Sequence, residues 1–184
     1  MAELTGVRAN IFSEETIRNA SASEAVAQKL GQSINFINNY QYTEKTWNLN
    51  ENAALFSTLT GIDGIYIAPY NITILKIEIY GNQWGSSGST TFDLHRLTGG
   101  NTDAGTLFVT KPNVLASAVN DSYSSYCFDS DGTVNVGDSL ITTGFNTPEL
   151  TTVELDQFDA IRFDPDTVVG GCKNLSFQII VRPR

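Results

Sequence analysis

The chain is poor in the residues that usually announce chemistry. Its 184 residues include one histidine, two cysteines and one methionine. The cysteines, Cys127 and Cys172, lie 45 apart and match no metal-ligand spacing. Charged residues make up 17%, below the globular norm of about 25%. No cluster of Lys and Arg occurs anywhere, which argues against a phosphate backbone or an anionic membrane surface as partner. No apolar run reaches the length of about 18 residues that a spanning helix needs, so no membrane insertion is expected. The opening stretch, Met1 to Phe12, carries Glu3 and Arg8 and has no apolar core of a signal peptide.

Uncharged polar residues fill the gap. Ser, Thr and Asn together are 51 of 184, while 41% of the chain is apolar. That mixture suits β-strands with Thr- and Asn-bearing outer faces, and it argues against both a long coiled coil and disorder. The length is that of one domain with an appendage, long enough to bury a core without staples. The net charge of −9 is uneven: residues 1–45 carry −1, residues 46–120 carry −2 and residues 121–184 carry −6.

The chain changes character near residue 50. The first twelve residues, ending in Ile11 and Phe12, read as an extended arm. Ser21-Ala22-Ser23-Glu24 is a capping box. Val26, Leu30, Ile34 and Ile37 then recur on one helical face, which predicts a helix over about 22–38. Its single apolar stripe needs a partner surface, on its own domain, on copies of itself or on a host surface. After Trp47 the helical period gives way to strand signals: 54–59, 64–69, 72–80, 90–97, 106–110, 122–128, 139–143, 150–155, 160–164 and 175–181. Within 72–80, Leu75, Ile77 and Ile79 are expected to face the core. About ten short strands without intervening helices exclude a parallel βαβ architecture. They predict a mainly β fold, an antiparallel β-sandwich of jelly-roll type, preceded by the arm and one α-helix. A Greek-key immunoglobulin-like sandwich is the alternative. The domains are expected at 1–45 and 46–184.

Catalytic signals are weak. His95 alternates on one strand face with Asp93, but no G-x-S-x-G elbow surrounds any serine. The carboxylate pairs Asp156/Asp159, Asp164/Asp166 and Glu149/Glu154 invite a glycosidase reading, but all lie in or beside turns. Asp129-Ser130-Asp131-Gly132 begins like a calcium loop, yet Thr133 and Leu140 occupy positions that should carry ligands. It reads more simply as an Asp-Gly turn. No catalytic residue, metal or cofactor is therefore expected. Cys127 and Cys172 have two readings: apolar thiols, or a disulfide formed where neighbouring strand ends bring them together.

The order of segments nevertheless has a likeness. An arm and helix precede "TWNLN" at 46–50, followed by "YNITILKIEIYG" at 70–81, "GSSGSTTFDLHRL" at 85–97, "GTLFVTKPNV" at 105–114 and "ELDQFDAIRFDPDTVVGGCKNLSFQIIVRP" at 154–183. Over residues 50–184 this resembles the jelly-roll accessory proteins of tailed-phage virions: head decoration proteins, head fibres, and collar or tail fibre subunits. The resemblance implies a fold rather than a reaction. It implies homo-oligomers, most often trimers, assembled onto capsid, collar or tail proteins at the virion exterior after synthesis in the host cytoplasm. Residues 1–45 match only as an anchoring segment, with Ile11, Phe12, Val26, Leu30, Ile34 and Ile37 as the anchor or oligomer interface. A second class of function is a module that binds cell-surface glycan through exposed loop aromatics such as Trp84, Tyr123 and Tyr126. A small hydrolase is the third.

Overall fold

A computed structural model of the chain describes residues 43–49, 64–99 and 102–184. The chain divides between Tyr42 and Thr43, and every described residue lies in the second unit. The arm, the helix over 22–38 with its stripe, and the expected strand over 54–59 fall outside the described residues. The second unit starts three residues before the expected boundary, because Thr43, Glu44 and Lys45 already pair with Val181, Ile180 and Ile179.

The described residues are mainly β and contain no helix. In chain order the strands are β1 (Thr43–Leu49), β2 (Ile65–Ile67), β3 (Ile72–Trp84), β4 (Ser89–Thr98), β5 (Thr102–Thr106) and β6 (Phe108–Thr110). They continue with β7 (Asn113–Leu115), β8 (Ser122–Cys127), β9 (Glu149–Leu150), β10 (Glu154–Leu155), β11 (Ala160–Thr167) and β12 (Cys172–Pro183). One sheet has the order β1-β12-β3-β10, with β8 also on β3; a second has β2-β11-β4-β5, with β7 also on β4. All pairings are antiparallel, and β6 and β9 form a separate two-stranded ladder. Of the expected strands, 139–143 is reduced to one bridge, Leu140 with Ser125.

The two large sheets meet through aromatic side chains. Trp47 on β1 and Phe177 on β12 come from the first sheet, Phe92 on β4 and Phe163 on β11 from the second. All four are fully buried. Ring centroids lie 5.7 Å apart for Trp47–Phe163, 5.7 Å for Phe92–Phe177 and 5.0 Å for Phe163–Phe177. Each side chain of this size carries more buried area than any aliphatic neighbour, and offset or tilted ring pairs add about 0.5–1.5 kcal/mol beyond burial. The Trp47 indole N–H is not stranded, since it donates to the Gly64 carbonyl at 2.9 Å.

Strand β3 departs from simple alternation. Ile72 and Ile74 are buried, and so are Ile77 and Ile79, whereas Leu75 is only half-buried. The expected core face of Leu75, Ile77 and Ile79 is thus wrong for its first member. The cause is a bulge. Ile180 pairs with Lys76 but the next residue, Val181, pairs with Ile74, so Leu75 is an extra residue and the side-chain parity flips there. The bulge leaves the Leu75 carbonyl off the β12 ladder; the Phe128 N–H takes it at 3.0 Å.

Trp84 corrects another expectation. It ends β3 rather than lying in an exposed loop, and it is fully buried. Its ring lies so close over Gly81 that a Cβ there would collide with it. Its edge-to-face partner is Phe145 at 5.0 Å, and its N–H donates to the Ser122 hydroxyl at 3.0 Å. Tyr126 is likewise buried; of the three aromatics, only Tyr123 is exposed.

The disulfide reading fails on register. Both cysteines are free thiols. Cys172 pairs with Trp84 on one side of β3 and Cys127 pairs with Lys76 on the other. Those β3 positions are eight residues apart, a strand length of about 25 Å, against the limit of about 7 Å between bridged Cα atoms. Cys172 is buried, and burial pushes its thiol pKa up. Alkylation of the native protein is therefore expected to label Cys127 alone. Unfolding without reductant exposes both thiols, and mass spectrometry that instead finds one bridge in place of two labels contradicts the register.

Candidate functional site

The charged side chains left over from the core converge on the outer face of the second sheet. Alternation puts Asp93 and His95 of β4 on that face, together with Arg162 and Asp164 of β11. Register then sets Asp93 directly opposite Asp164 and His95 opposite Arg162. Two carboxylates face to face are unfavourable unless cations intervene. Here they do.

Asp93 is fully buried, and its Oδ2 is met by the Lys111 ammonium at 2.6 Å and by His95 Nε2 at 3.2 Å. Its other oxygen accepts the Thr106 hydroxyl. Asp164 is held by the Arg162 guanidinium, with Nη2–Oδ2 at 2.7 Å. Asp103 on β5 receives His95 Nδ1 at 3.0 Å, Arg162 Nη2 at 2.9 Å and the Gly105 N–H at 2.8 Å. Lys111 also reaches Asp166 at 2.6 Å. The result is an alternating lattice that ties β4, β5 and β11 to the segment carrying Lys111.

The lattice shifts the titration of Asp103 and Lys111. The hydrogen bond from His95, then that from the Gly105 N–H, hold the Asp103 carboxyl down at about 2. Partial burial pulls the Lys111 pKa down, but hydrogen bonds to Asp166 and Asp93 and their charges outweigh it, so Lys111 stays above the ordinary lysine value.

The polar atoms of this arrangement are directed at one another. Both His95 nitrogens face carboxylates. The hydroxyl in the lattice, that of Thr106, donates to Asp93 and not to His95. Among the described residues no nucleophile is aligned on His95 as a triad would require. Of the carboxylates singled out in the sequence, all but Glu149 are also bound up. Asp156 and Asp159 share Arg96, at 3.5 and 2.5 Å, while Asp156 and Glu154 meet Arg184. Asp164 and Asp166 belong to the lattice. The calcium-like stretch folds as a turn: Gly132 has φ of 89°, its N–H reaches the Asp129 carbonyl at 3.0 Å, and Asp131 accepts from the Thr133 N–H and hydroxyl. No group of three or more His, Cys, Asp or Glu side chains among the described residues is arranged to hold a metal ion. The cysteines, as shown above, are apart.

Two measurements check the lattice. Lys111→Met leaves Asp93 buried without its closest cation and is expected to cost about 3 kcal/mol in denaturant unfolding; adding Asp93→Asn to it recovers part of that loss. The pH dependence carries its own sign. Because the folded pKa of Asp103 lies below the unfolded value of 3.8, its contribution is full above about pH 4 and is lost as pH falls toward about 2. Asp103→Asn is expected to flatten the decline in unfolding temperature over that window.

Comparisons with known proteins place little around this arrangement. No protein-family model matches the chain, and no curated protein matches it. Among solved structures it is similar to the crystal structure of the SPBc2 prophage-derived protein YomS, at 16% identity and a TM-score of 0.35, over 77% of this chain and 94% of that one.

Proposed function

We propose that this chain is a structural subunit of a tailed-phage particle, a capsid-decorating or fibre protein. It attaches through its N-terminal segment and displays a β-sandwich of jelly-roll type outside. The observation that carries this reading is where the phage-like segments fall. The stretch 105–114 supplies the end of β5, β6 and the start of β7, and 154–183 supplies β10, β11 and β12. Strands β11 and β12 are interior to the two large sheets. The likeness therefore lies in the strands that define the fold.

Physical features of the β unit support it. A particle-exterior domain needs a dense core and a charged surface whose groups satisfy one another. The aromatic core and the Asp–Arg–His–Lys lattice meet those needs. The net charge of −9 disfavours adhesion to nucleic acid. In this reading the partners are further copies, as a homotrimer, and capsid, collar or tail proteins. The place is the virion exterior, reached after synthesis in the host cytoplasm.

The test divides the chain at the observed boundary. Deletion of residues 1–42 keeps the whole of β1 and is expected to leave a soluble β protein that no longer co-sediments with purified particles. Leu30→Asp with Ile34→Asp in the full chain is expected to do the same, since each apolar side chain of the stripe contributes roughly 1.5–3 kcal/mol when buried. Wild-type occupancy by the truncated protein would place the attachment on the β unit instead.

A further inference from the structure

The outer face of the first sheet differs from that of the second. Register aligns Asn48, Ser176, Tyr80 and Tyr123 in one row across β1, β12, β3 and β8. The adjacent row is Thr46, Gln178, Glu78 and Ser125. All eight side chains carry a hydroxyl, amide or carboxylate, and none is aliphatic. Strand spacing and rise make this grid about 14 Å by 7 Å, the footprint of a disaccharide. A shallow cleft of about 130 Å³ opens on it between Glu78, Tyr80, Tyr123, Ser176 and Gln178.

Three properties of the grid point to one kind of ligand. Tyr80 and Tyr123 occupy directly opposed positions of β3 and β8 and are 39% and 49% exposed, so each offers ring surface to solvent. Among the described residues, the Gln178 amide and the Ser176 hydroxyl make no hydrogen bond, unlike the lattice on the other sheet. Glu78 is paired with Lys76 at 2.7 Å, while the Asp121 carboxylate accepts from the Tyr80 hydroxyl at 3.4 Å, so the charge beside the cleft is negative and repels an anionic ligand. Flat apolar rings bordered by free amide and hydroxyl groups suit a molecule with one C–H face and an edge of hydroxyls.

We infer that the outer face of the β1-β12-β3-β8 array binds a neutral oligosaccharide, stacked on Tyr80 and Tyr123 and hydrogen-bonded by Gln178, Ser176 and Glu78. The inference goes beyond the particle role and does not depend on it. An anionic sugar is disfavoured by the protein's charge. An acidic ligand would also lack a cation to meet, since Lys76 is engaged by Glu78.

The experiment applies the full-length chain to a microarray of neutral, amino and acidic glycans. Saturation-transfer NMR follows with the methyl glycoside of the terminal sugar that scores highest. Binding to neutral glycans is expected, weakened about tenfold by Tyr123→Ala or Tyr80→Ala, largely retained in Tyr123→Phe, weakened by Gln178→Ala, and unchanged in Phe158→Ala, an exposed aromatic elsewhere on the unit. Unfolding temperatures identify any variant that fails to fold; Tyr123→Phe and Gln178→Ala then decide. Absence of binding to every neutral glycan, binding confined to acidic glycans, or binding indifferent to both tyrosines and Gln178 would each overturn the inference. Particle attachment is read separately by co-sedimentation, so either idea can fail alone.

Discussion

The packing of Trp47, Phe92, Phe163 and Phe177 is the constraint on which the rest of the unit depends. Four rings from four strands occupy the space between two sheets, each within 6.3 Å of at least two others. Their positions dictate which residues of β1, β4, β11 and β12 must face inward, and by alternation which must face out. Arg162 and Asp164 flank Phe163 in sequence and so are turned to the opposite face; Asp93 flanks Phe92 in the same way. The charged lattice on one exterior is thus a consequence of the aromatic interior. On the other sheet, the inward placement of Phe177 and Ile79 turns Gln178, Ser176 and Tyr80 outward.

Much of this was legible in alternation alone. Strand β4 and the β11 core emerge from Phe92-x-Leu94 and Ile161-x-Phe163, and Asp93 and His95 share a face as the sequence implies. Other features required tertiary information. One extra residue in β3, Leu75, has no composition that marks it as a bulge, yet it reverses the face of everything before it. Trp84 follows a glycine-bearing stretch that resembles a loop, and its burial depends on Gly81 lacking a side chain. The lattice itself was invisible, since Asp103, Lys111 and Arg162 are spread over 60 residues and only the fold brings them to Asp93 and His95. The disulfide expectation failed for a related reason. Both cysteines do sit at strand ends, but they pair with β3 at positions eight residues apart.

Burying Asp93 is costly in itself, and an apolar residue at its place would in many proteins be as stable. What the carboxylate contributes is selectivity among arrangements. Asp93 satisfies Lys111, Thr106 and His95 together only when β4, β5 and the Lys111 segment are in their observed alignment. A slip of one residue along β4 would place Phe92 or Leu94 among those groups. The lattice therefore opposes misregistered pairings more strongly than it adds to the depth of the correct one.

The pairing of β1 with β12 has a consequence for how the molecule is made. Thr43 pairs with Val181, so the first strand of the unit closes on the last. Trp47 cannot reach Phe177 until about 130 further residues have left the ribosome, a delay on the order of ten seconds at ordinary elongation rates. Until then β1 lacks its ladder with β12 and the aromatic interior lacks one wall. Such non-local closure is characteristic of slow-folding β topologies. The nascent chain consequently carries exposed strand edges until the residues of β12 have emerged.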